Sequence, residues 1–292
     1  MALLVFDIGG TAVKYALYKD KELESTRSFT TPLSWKEMKA LLSEVKQSFK
    51  GETLEGVAIS SPGAVDVEAG VIRGISAISY IHDFKIVEEL EDLFQLPVTI
   101  ENDANCAALV ELAYGVAKSA NTVLFFVIGS GIGGAVAIDG KLHKGINLFR
   151  GEFGYMMLDK GYTLSQSASP VHVANRYSSE KDLPTSISGQ ELFQLSDDGD
   201  ESARQAVDSL FQALGKGIFN AALVLNPDLV VLGGGLSKRP GLVEEVSKQI
   251  DHLREKTGAQ DLTISLDTCQ FYNDANLLGV VAHFQNNIGI EK

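Results

Sequence analysis

The chain has 292 residues, 45% of them hydrophobic, and a formal net charge of −13 at pH 7. This length and apolar content predict a globular protein, with two domains as the better expectation. The acidic charge argues against nucleic acid or an anionic membrane surface as a partner, and apolar runs no longer than a strand, with no charged leader, predict a soluble cytoplasmic protein.

The first half of the chain predicts alternating strands and helices. A hydrophobic run at 3–6, a glycine-rich turn at 7–11 and an alternating run at 13–18 predict a hairpin. An amphipathic helix at 35–49 precedes an apolar strand at 54–59 that runs into Ser60-Ser61-Pro62-Gly63. Helices at 87–94 and 104–114 flank a strand at 97–100 and the pair Asn102-Asp103. This order predicts an α/β fold with polar turns at the carboxyl edge of a sheet, where open α/β sheets bind ligands.

The second half repeats the hairpin pattern at 122–142, with a glycine-rich turn at 129–134 between apolar runs at 123–128 and 135–138. Helices are predicted at 171–177, 189–195 and 202–225, the last ended by Asn226-Pro227-Asp228. A strand at 229–232 runs into three glycines, and a helix at 242–253, a strand at 262–266 and a helix at 275–284 follow. Two hairpins of one design predict two related lobes that face one ligand.

The two glycine-rich turns predict phosphate binding. Glycines permit positive φ and let backbone N–H groups converge on an anion. A single turn of this kind also occurs in an ordinary hairpin, so the indication comes from the pair. Each turn leads into a strand-like run where the dinucleotide fingerprint requires a helix, and the chain has no Gly-Lys-Ser or Gly-Lys-Thr run. These features argue against a Rossmann dehydrogenase, exclude a Walker loop and favour a hairpin-type phosphate cradle.

Six motifs, in order along nearly the whole chain, resemble those of the ROK family of sugar kinases and related repressors. They are Asp7-Ile8-Gly9-Gly10-Thr11 with Lys14, Ser61-Pro62-Gly63, Asn102-Asp103-Ala104-Asn105, Gly129-Ser130-Gly131-Ile132-Gly133-Gly134, Gly151-Glu152-Phe153-Gly154, and Gly233-Gly234-Gly235. The resemblance implies an α/β fold of two actin/hexokinase-like (ribonuclease H-like) lobes around a central cleft. The expected N-terminal lobe comprises residues 1–106 with a C-terminal helix at about 275–292, and the larger lobe comprises 107–274.

The resemblance also implies an ATP-dependent sugar kinase that phosphorylates a C6 hydroxyl. Asp103 is the expected catalytic base, because transfer to a hydroxyl needs a carboxylate within reach of the attacking oxygen. The alternative for Asp103 is a helix cap. Asp7 is expected to hold Mg²⁺, mostly through water, since a carboxylate beside a phosphate would otherwise repel it. Thr11 and Lys14 are expected at the phosphates, although Lys14 also fits a solvated strand residue.

The other motif residues receive nucleotide or sugar roles from the same resemblance. Gly9, Gly10, Gly129, Ser130, Gly131, Gly133 and Gly134 are expected at the phosphates, and Gly233, Gly234 and Gly235 at the adenosine. Ser61, Pro62, Gly63, Asn102, Asp103, Glu152, Tyr155 and Ser165 are expected at the sugar. Surface charge is the alternative for Glu152, and a turn residue is the alternative for Asn102.

Two departures from the family pattern bear on the sugar. Most kinase members carry a zinc-binding His and a cysteine-rich run, but here Tyr155 replaces the His and no cysteine lies between Cys106 and Cys269, so we expect no zinc site. Ser165 stands where the family has a Glu. A phenol and a hydroxyl bind sugar hydroxyls less strongly than charged groups do. We therefore expect a pocket that admits a group at C1, as in a β-glucoside or disaccharide, with glucose and N-acetylmannosamine as alternatives.

Other function classes fit less well. Repressor members begin with a helix-turn-helix, for which the strand at Leu3 leaves no room. A silent sugar sensor would not need Asp7, Asp103 and both glycine turns, and a hydrolytic ATPase would not need Asn102 or Glu152. The family commonly pairs through its larger lobe, which predicts a homodimer.

Overall fold

A computed structural model describes residues 2–288 of the chain. It comprises two compact units, one that runs to Ala113 and resumes at Asn273, and one that spans Tyr114–Tyr272. The expected first boundary, after residue 106, falls inside a helix that ends at Tyr114. Cys106 of that helix contacts Gly279 of the C-terminal helix, so packing keeps the helix with the first unit.

The first unit is built on a five-stranded sheet and a separate two-stranded ribbon. The strands are β1 (Ala2–Ile8), β2 (Ala12–Lys19), β3 (Glu22–Thr30), β4 (Gly56–Ser61), β5 (Ala64–Asp66), β6 (Val71–Arg73) and β7 (Val98–Asn102). The sheet has the order β3-β2-β1-β4-β7, with β1 antiparallel to β2 and β1, β4 and β7 mutually parallel. The ribbon pairs β5 with β6.

Helices cover both faces of this sheet. They are α1 (Trp35–Ser48), α2 (Ile86–Phe94), α3 (Asp103–Tyr114) and the C-terminal α9 (Ala275–Ile288). Successive side chains of a strand point to opposite faces, so β1 is buried on both. Leu4 and Phe6 pack in the core that includes α1 and α2, whereas Leu3 and Val5 pack with α9.

The second unit repeats this arrangement in its sheet, which has the order β10-β9-β8-β11-β12. Its strands are β8 (Val123–Ile128), β9 (Ile132–Ile138), β10 (Lys141–Leu142), β11 (Leu229–Gly233) and β12 (Leu266–Thr268). Again an antiparallel hairpin, β8 with β9, is extended on one side by parallel strands, β11 and then β12. The repeated hairpin and the α/β class predicted from the sequence are confirmed.

The helices of the second unit pack around the long α7. They are α4 (Leu164–Ala168), α5 (Pro170–Glu180), α6 (Gly189–Asp197), α7 (Glu201–Leu225) and α8 (Leu242–Thr257). Asp200 caps α7 by accepting from the N–H of Ala203, and Asn226 ends it in the left-handed conformation (φ 43°). Between residues 2 and 288, no helix combines the length and apolar character needed to cross a membrane.

The structure differs from the predicted elements where local pattern is weak. β3 is an edge strand with mostly exposed polar residues, so it carries no apolar alternation to detect. β9 begins at Ile132, three residues earlier than predicted, because Gly133 and Gly134 pair with β8 as strand residues. β12 starts only at Leu266, whereas Leu262 and Ile264 pack on the core outside the sheet.

Because Gly279 has no side chain, α9 lies directly on the backbone of α3. A Cβ at Gly279 would overlap the carbonyl group of Cys106. We expect Gly279→Ala to lower the free energy of unfolding by about 1–3 kcal/mol, because this overlap outweighs the better helix propensity of alanine. Calorimetric unfolding measures the change. Gly51→Ala is the matched control, since a Cβ there meets no atom within 4 Å, and an equal effect of both substitutions would contradict the prediction.

Candidate functional site

In the first unit, the parallel strands bring three of the sequence motifs to one sheet edge. Asp7 near the end of β1 pairs with Ser60 of β4, and Ser61 pairs with Asn102 at the end of β7. Asp103 follows directly as the first residue of α3. The first glycine turn, the Ser61-Pro62-Gly63 turn and the Asn102-Asp103 junction therefore lie along the carboxyl ends of neighbouring strands.

Asn102 holds two of these motifs together. Its side-chain Nδ2 donates to the carbonyl of Gly63 at 3.0 Å, and its Oδ1 accepts from the N–H of Asn105 at 3.2 Å. The second bond has the geometry of a helix N-cap. The capping role considered for Asp103 is thus performed by Asn102, and the amide of Asn102 links the junction to the turn at 61–63.

Asp103 is a carboxylate whose ionised form the fold disfavours. Its Oδ1 accepts from the N–H of Ala104 at 2.8 Å. Removal of the carboxyl group from water raises the pKa of Asp103, the hydrogen bond from Ala104 opposes this shift, and the negative charge of Asp7 raises the pKa further. A carboxylate in this state accepts a proton more readily than an ordinary surface Asp does.

Asp7 is oriented by a residue that sequence reasoning missed. The Nδ2 of Asn276, at the start of α9, donates to Asp7 Oδ1 at 3.0 Å. Lys14 lies directly opposite Asp7 in the β1–β2 register. No local pattern marks Asn276, because the contact joins residues 269 positions apart and depends on where α9 packs.

The buried side chain of Glu101 forms hydrogen bonds at the junction between β7 and α3. Glu101 Oε1 accepts from the N–H of Asn102 at 2.7 Å and from Asn105 Nδ2 at 3.1 Å. Its Oε2 lies 3.9 Å from Nδ1 of His283 on α9, and both side chains are buried. The helix that orients Asp7 through Asn276 thereby also reaches β7, the strand that precedes Asp103.

The first glycine turn is closed by backbone contacts. The N–H of Gly9 donates to the carbonyl of Ala12 at 3.0 Å, and the hydroxyl of Thr31 donates to the carbonyl of Gly9 at 2.6 Å. A Cβ at Gly10 would come within 2.8 Å of the Cβ of Ala77. Gly10 and Thr11 are exposed, so their backbone is open to a ligand.

The second glycine turn is anchored by two serines. Ser165 Oγ accepts from the N–H of Ile132 at 2.9 Å, and Ser169 Oγ donates to the carbonyls of Gly129 and Ser130 at 3.0 and 2.8 Å. Sequence reasoning did not single out Ser169, because its role depends on burial of the hydroxyl against a turn 40 residues away in the chain. The hydrogen bonds from Ser169 fix the carbonyl groups of Gly129 and Ser130. A Cβ on Gly129 would meet no atom within 4 Å. The space above Gly129 is therefore open to an anion that approaches the backbone.

The remaining glycines of these motifs serve different needs. A Cβ on Gly134 would lie 2.8 Å from the carbonyl oxygen of Gly151, so close packing accounts for that glycine. Gly234 has φ 81° and presses on the backbone of Ile128, whereas a Cβ on Gly235 would meet nothing within 4 Å. β11 lies beside β8 with Gly233 opposite Val127, so the second and third glycine turns share one edge.

The Glu152 motif lies on the same sheet as these turns. Phe153 stacks on Phe126 of β8 with centroids 4.2 Å apart, and a Cβ on Gly154 would overlap both Ile132 and Ser165. Glu152 is partly exposed and the side chain of Tyr155 is 69% exposed. The structure thus brings Glu152, Ser165 and the second glycine turn together within one unit.

The open turns fit a polyphosphate, and the acidic residues fit a cation held through water. Gly129 and Gly235 are open to close approach by a ligand, and Gly10 and Thr11 are exposed. Within the part of the chain that the structure describes, no group of three or more His, Cys, Asp or Glu residues could ligate a metal directly. The single carboxylate of Asp7 suits a cation such as Mg²⁺ that keeps several of its waters.

Comparison with known proteins identifies the family. The ROK family model matches residues 3–287. A beta-glucoside kinase of Klebsiella pneumoniae is 33% identical over 97% of this chain and 96% of its own length, and one of Listeria monocytogenes is 32% identical over 97% of each. A ROK family protein from Streptococcus pneumoniae, solved in complex with sucrose, is 34% identical, covers 99% of both chains and superposes with a TM-score of 0.90.

These matches span both sheets and all six motifs that the sequence analysis singled out. The resemblance drawn from those motifs is confirmed, as is the actin/hexokinase-like α/β fold that it implied. The chain belongs to the ROK family and is an ATP-dependent carbohydrate kinase.

Proposed function

We propose that this kinase transfers the γ-phosphoryl group of ATP to the C6 hydroxyl of a β-glucoside or disaccharide, with Asp103 as the catalytic base. The observation that carries the proposal is the carboxylate of Asp103, fixed at the β7–α3 junction with a raised pKa. Glucose or N-acetylmannosamine as the acceptor is the alternative.

The proposed step is a direct displacement. Asp103 accepts the proton of the C6 hydroxyl as that oxygen bonds to the γ-phosphorus, and the bond to the β–γ bridging oxygen breaks to release ADP. The turns at 9–11 and 129–134 bind the phosphates through backbone N–H groups other than those of Gly9, Gly129 and Ile132, which are bonded within the protein, and Thr11 and Lys14 lie beside the phosphates. Residues 233–235 bind the adenosine side. Mg²⁺, held by Asp7 mainly through water, would neutralise phosphate charge.

The sugar is bound by the turn at 61–63, Asn102, Glu152, Tyr155 and Ser165. Asn102 retains one N–H of its amide for the sugar, because the other is bonded to Gly63. The hydroxyl of Ser165 is directed to the backbone of Ile132, which supports a sugar pocket without a second carboxylate at this position. That loss of charge favours an acceptor with a substituent at C1.

The cytoplasmic location, the homodimer and the exclusion of nucleic-acid and membrane partners stay predictions.

The acceptor preference is tested by ADP release from Mg-ATP. We expect higher kcat/KM with gentiobiose and cellobiose than with glucose, mannose, fructose or N-acetylmannosamine, and a phosphate at C6 of the product by NMR. A no-sugar reaction is the control. Activity with monosaccharides alone would contradict the disaccharide assignment, and no sugar-dependent ADP with any acceptor would favour the sensor.

The catalytic role of Asp103 is tested by Asp103→Ala. We expect a loss of about 10²–10⁴-fold in kcat with nucleotide binding retained, since general-base catalysis contributes about that much. Asp208→Asn, an exposed substitution on α7, is the charge-matched control and should retain activity. Near-normal turnover of Asp103→Ala would defeat the assignment.

The raised pKa of Asp103 also predicts a pH dependence of stability. A folded-state pKa above the unfolded value favours folding at low pH, and that contribution is lost as pH rises through the folded pKa. The neutral isostere in Asp103→Asn avoids the cost of ionisation, so its melting temperature should exceed that of the wild type at pH 7. The difference should shrink as pH falls towards the ordinary Asp value of 3.8. A lower melting temperature at pH 7 would refute this account.

A further inference from the structure

Two exposed aromatic rings stand beside Glu152. The N–H of Glu152 donates to the carbonyl of Phe149 at 3.2 Å, and the N–H of Tyr155 donates to the carbonyl of Glu152 at 3.1 Å. Two four-residue turns therefore meet at Glu152, which keeps the Cα atoms of both aromatic residues within about 7 Å of its own. The two ring centroids lie 5.9 Å apart with an interplanar angle of 51°.

These rings are exposed on a rigid support. Phe149 is 62% exposed and Tyr155 is 69% exposed. Between them in sequence, Phe153 points inward and stacks on Phe126, and Gly151 (φ 95°) packs against Ala135 of β9. Phe153 and Gly151 hold the segment on the sheet. The position of the segment therefore does not depend on burial of Phe149 and Tyr155.

Two further exposed apolar residues lie within three positions of the pair in the sequence. Ile146 is 99% exposed and Met157 is 63% exposed. Clustered exposed apolar side chains in a folded protein mark binding surfaces more often than scattered ones do. A carboxylate next to aromatic rings matches a sugar, whose hydroxyls donate to the carboxylate and whose C–H face packs on a ring.

We propose that Phe149 and Tyr155 form an aromatic subsite that binds the second ring, the group attached at C1, of a β-glucoside, while Glu152 accepts hydroxyls of the ring that is phosphorylated. The inference rests on the proposed function, because it assigns a place to the group that distinguishes a β-glucoside from glucose. It adds Phe149, which the sequence motifs did not indicate, as a residue that determines specificity.

The aromatic pair and the proposed catalytic base belong to different units of the chain. The aromatic pair belongs to the unit that spans residues 114–272, whereas Asp103 belongs to the other unit. Loss of the rings should therefore alter the choice of acceptor more than the rate of transfer. The ratio of kcat/KM for a disaccharide to kcat/KM for glucose isolates that choice.

The test compares Phe149→Ala, Tyr155→Ala and Tyr155→Phe, using gentiobiose, cellobiose and glucose with Mg-ATP. We expect each alanine variant to lower the disaccharide-to-glucose ratio about tenfold, mainly through a higher KM for the disaccharide, because one ring contact is lost. Tyr155→Phe keeps the ring and should keep the ratio. Tyr162→Ala, which removes a 45% exposed tyrosine outside the pair, is the matched control and should also keep it.

The outcomes separate the subsite from the proposed function. A wild-type enzyme that phosphorylates glucose and rejects both disaccharides overturns the β-glucoside assignment and the subsite with it. A wild-type enzyme that accepts disaccharides, with an unchanged ratio in both alanine variants, overturns the subsite alone. The alanine variants could also keep the ratio but differ from the wild type in oligomeric state, as measured by size-exclusion chromatography. That result would overturn the subsite and would assign Phe149 and Tyr155 to contacts between copies of the chain.

Discussion

The placement of Asp103 as a buried carboxylate near the charge of Asp7 is the constraint on which the candidate site of the first unit depends. Burial raises the pKa of Asp103, and the negative charge of Asp7 raises it further. Both are nevertheless fixed, Asp7 by Asn276 and Asp103 by the N–H of Ala104. Parallel strand pairing brings them to one edge, and a cation beside Asp7 would relieve the repulsion. Such an arrangement costs stability, which is common where the purpose of a site is chemistry.

The C-terminal helix makes this arrangement possible. Gly279 lets α9 approach α3 closely, and the same helix presents Asn276 to Asp7 and His283 to Glu101. Glu101 in turn holds the backbone of Asn102, which precedes Asp103. One helix therefore contacts both Asp7 and the buried Glu101 that supports the backbone next to Asp103.

The second unit has a glycine-rich turn with open backbone, which suits the anion binding that we propose for it. Ser165 of α4 and Ser169, the residue after α4, form hydrogen bonds to the backbone of the turn after β8. A Cβ at Gly129 in that turn would meet no atom within 4 Å. Gly134 and Gly234 are required by close packing of the backbone. Glycine-rich sequence alone does not separate these two uses, because both need the absence of a Cβ.

The alternation of strands and helices, the two hairpins, the order of the motifs and the family could all be predicted from the sequence. These features depend on local periodicity, glycine turns and spacing, which a linear sequence displays directly. Tertiary structure decided that Asn102 caps α3 and bonds Gly63, that Asn276 orients Asp7, that Ser169 anchors the second turn and that Phe149 pairs with Tyr155. Most of these contacts join residues far apart in the chain, and all depend on side-chain directions that packing fixes, so no local pattern could indicate them.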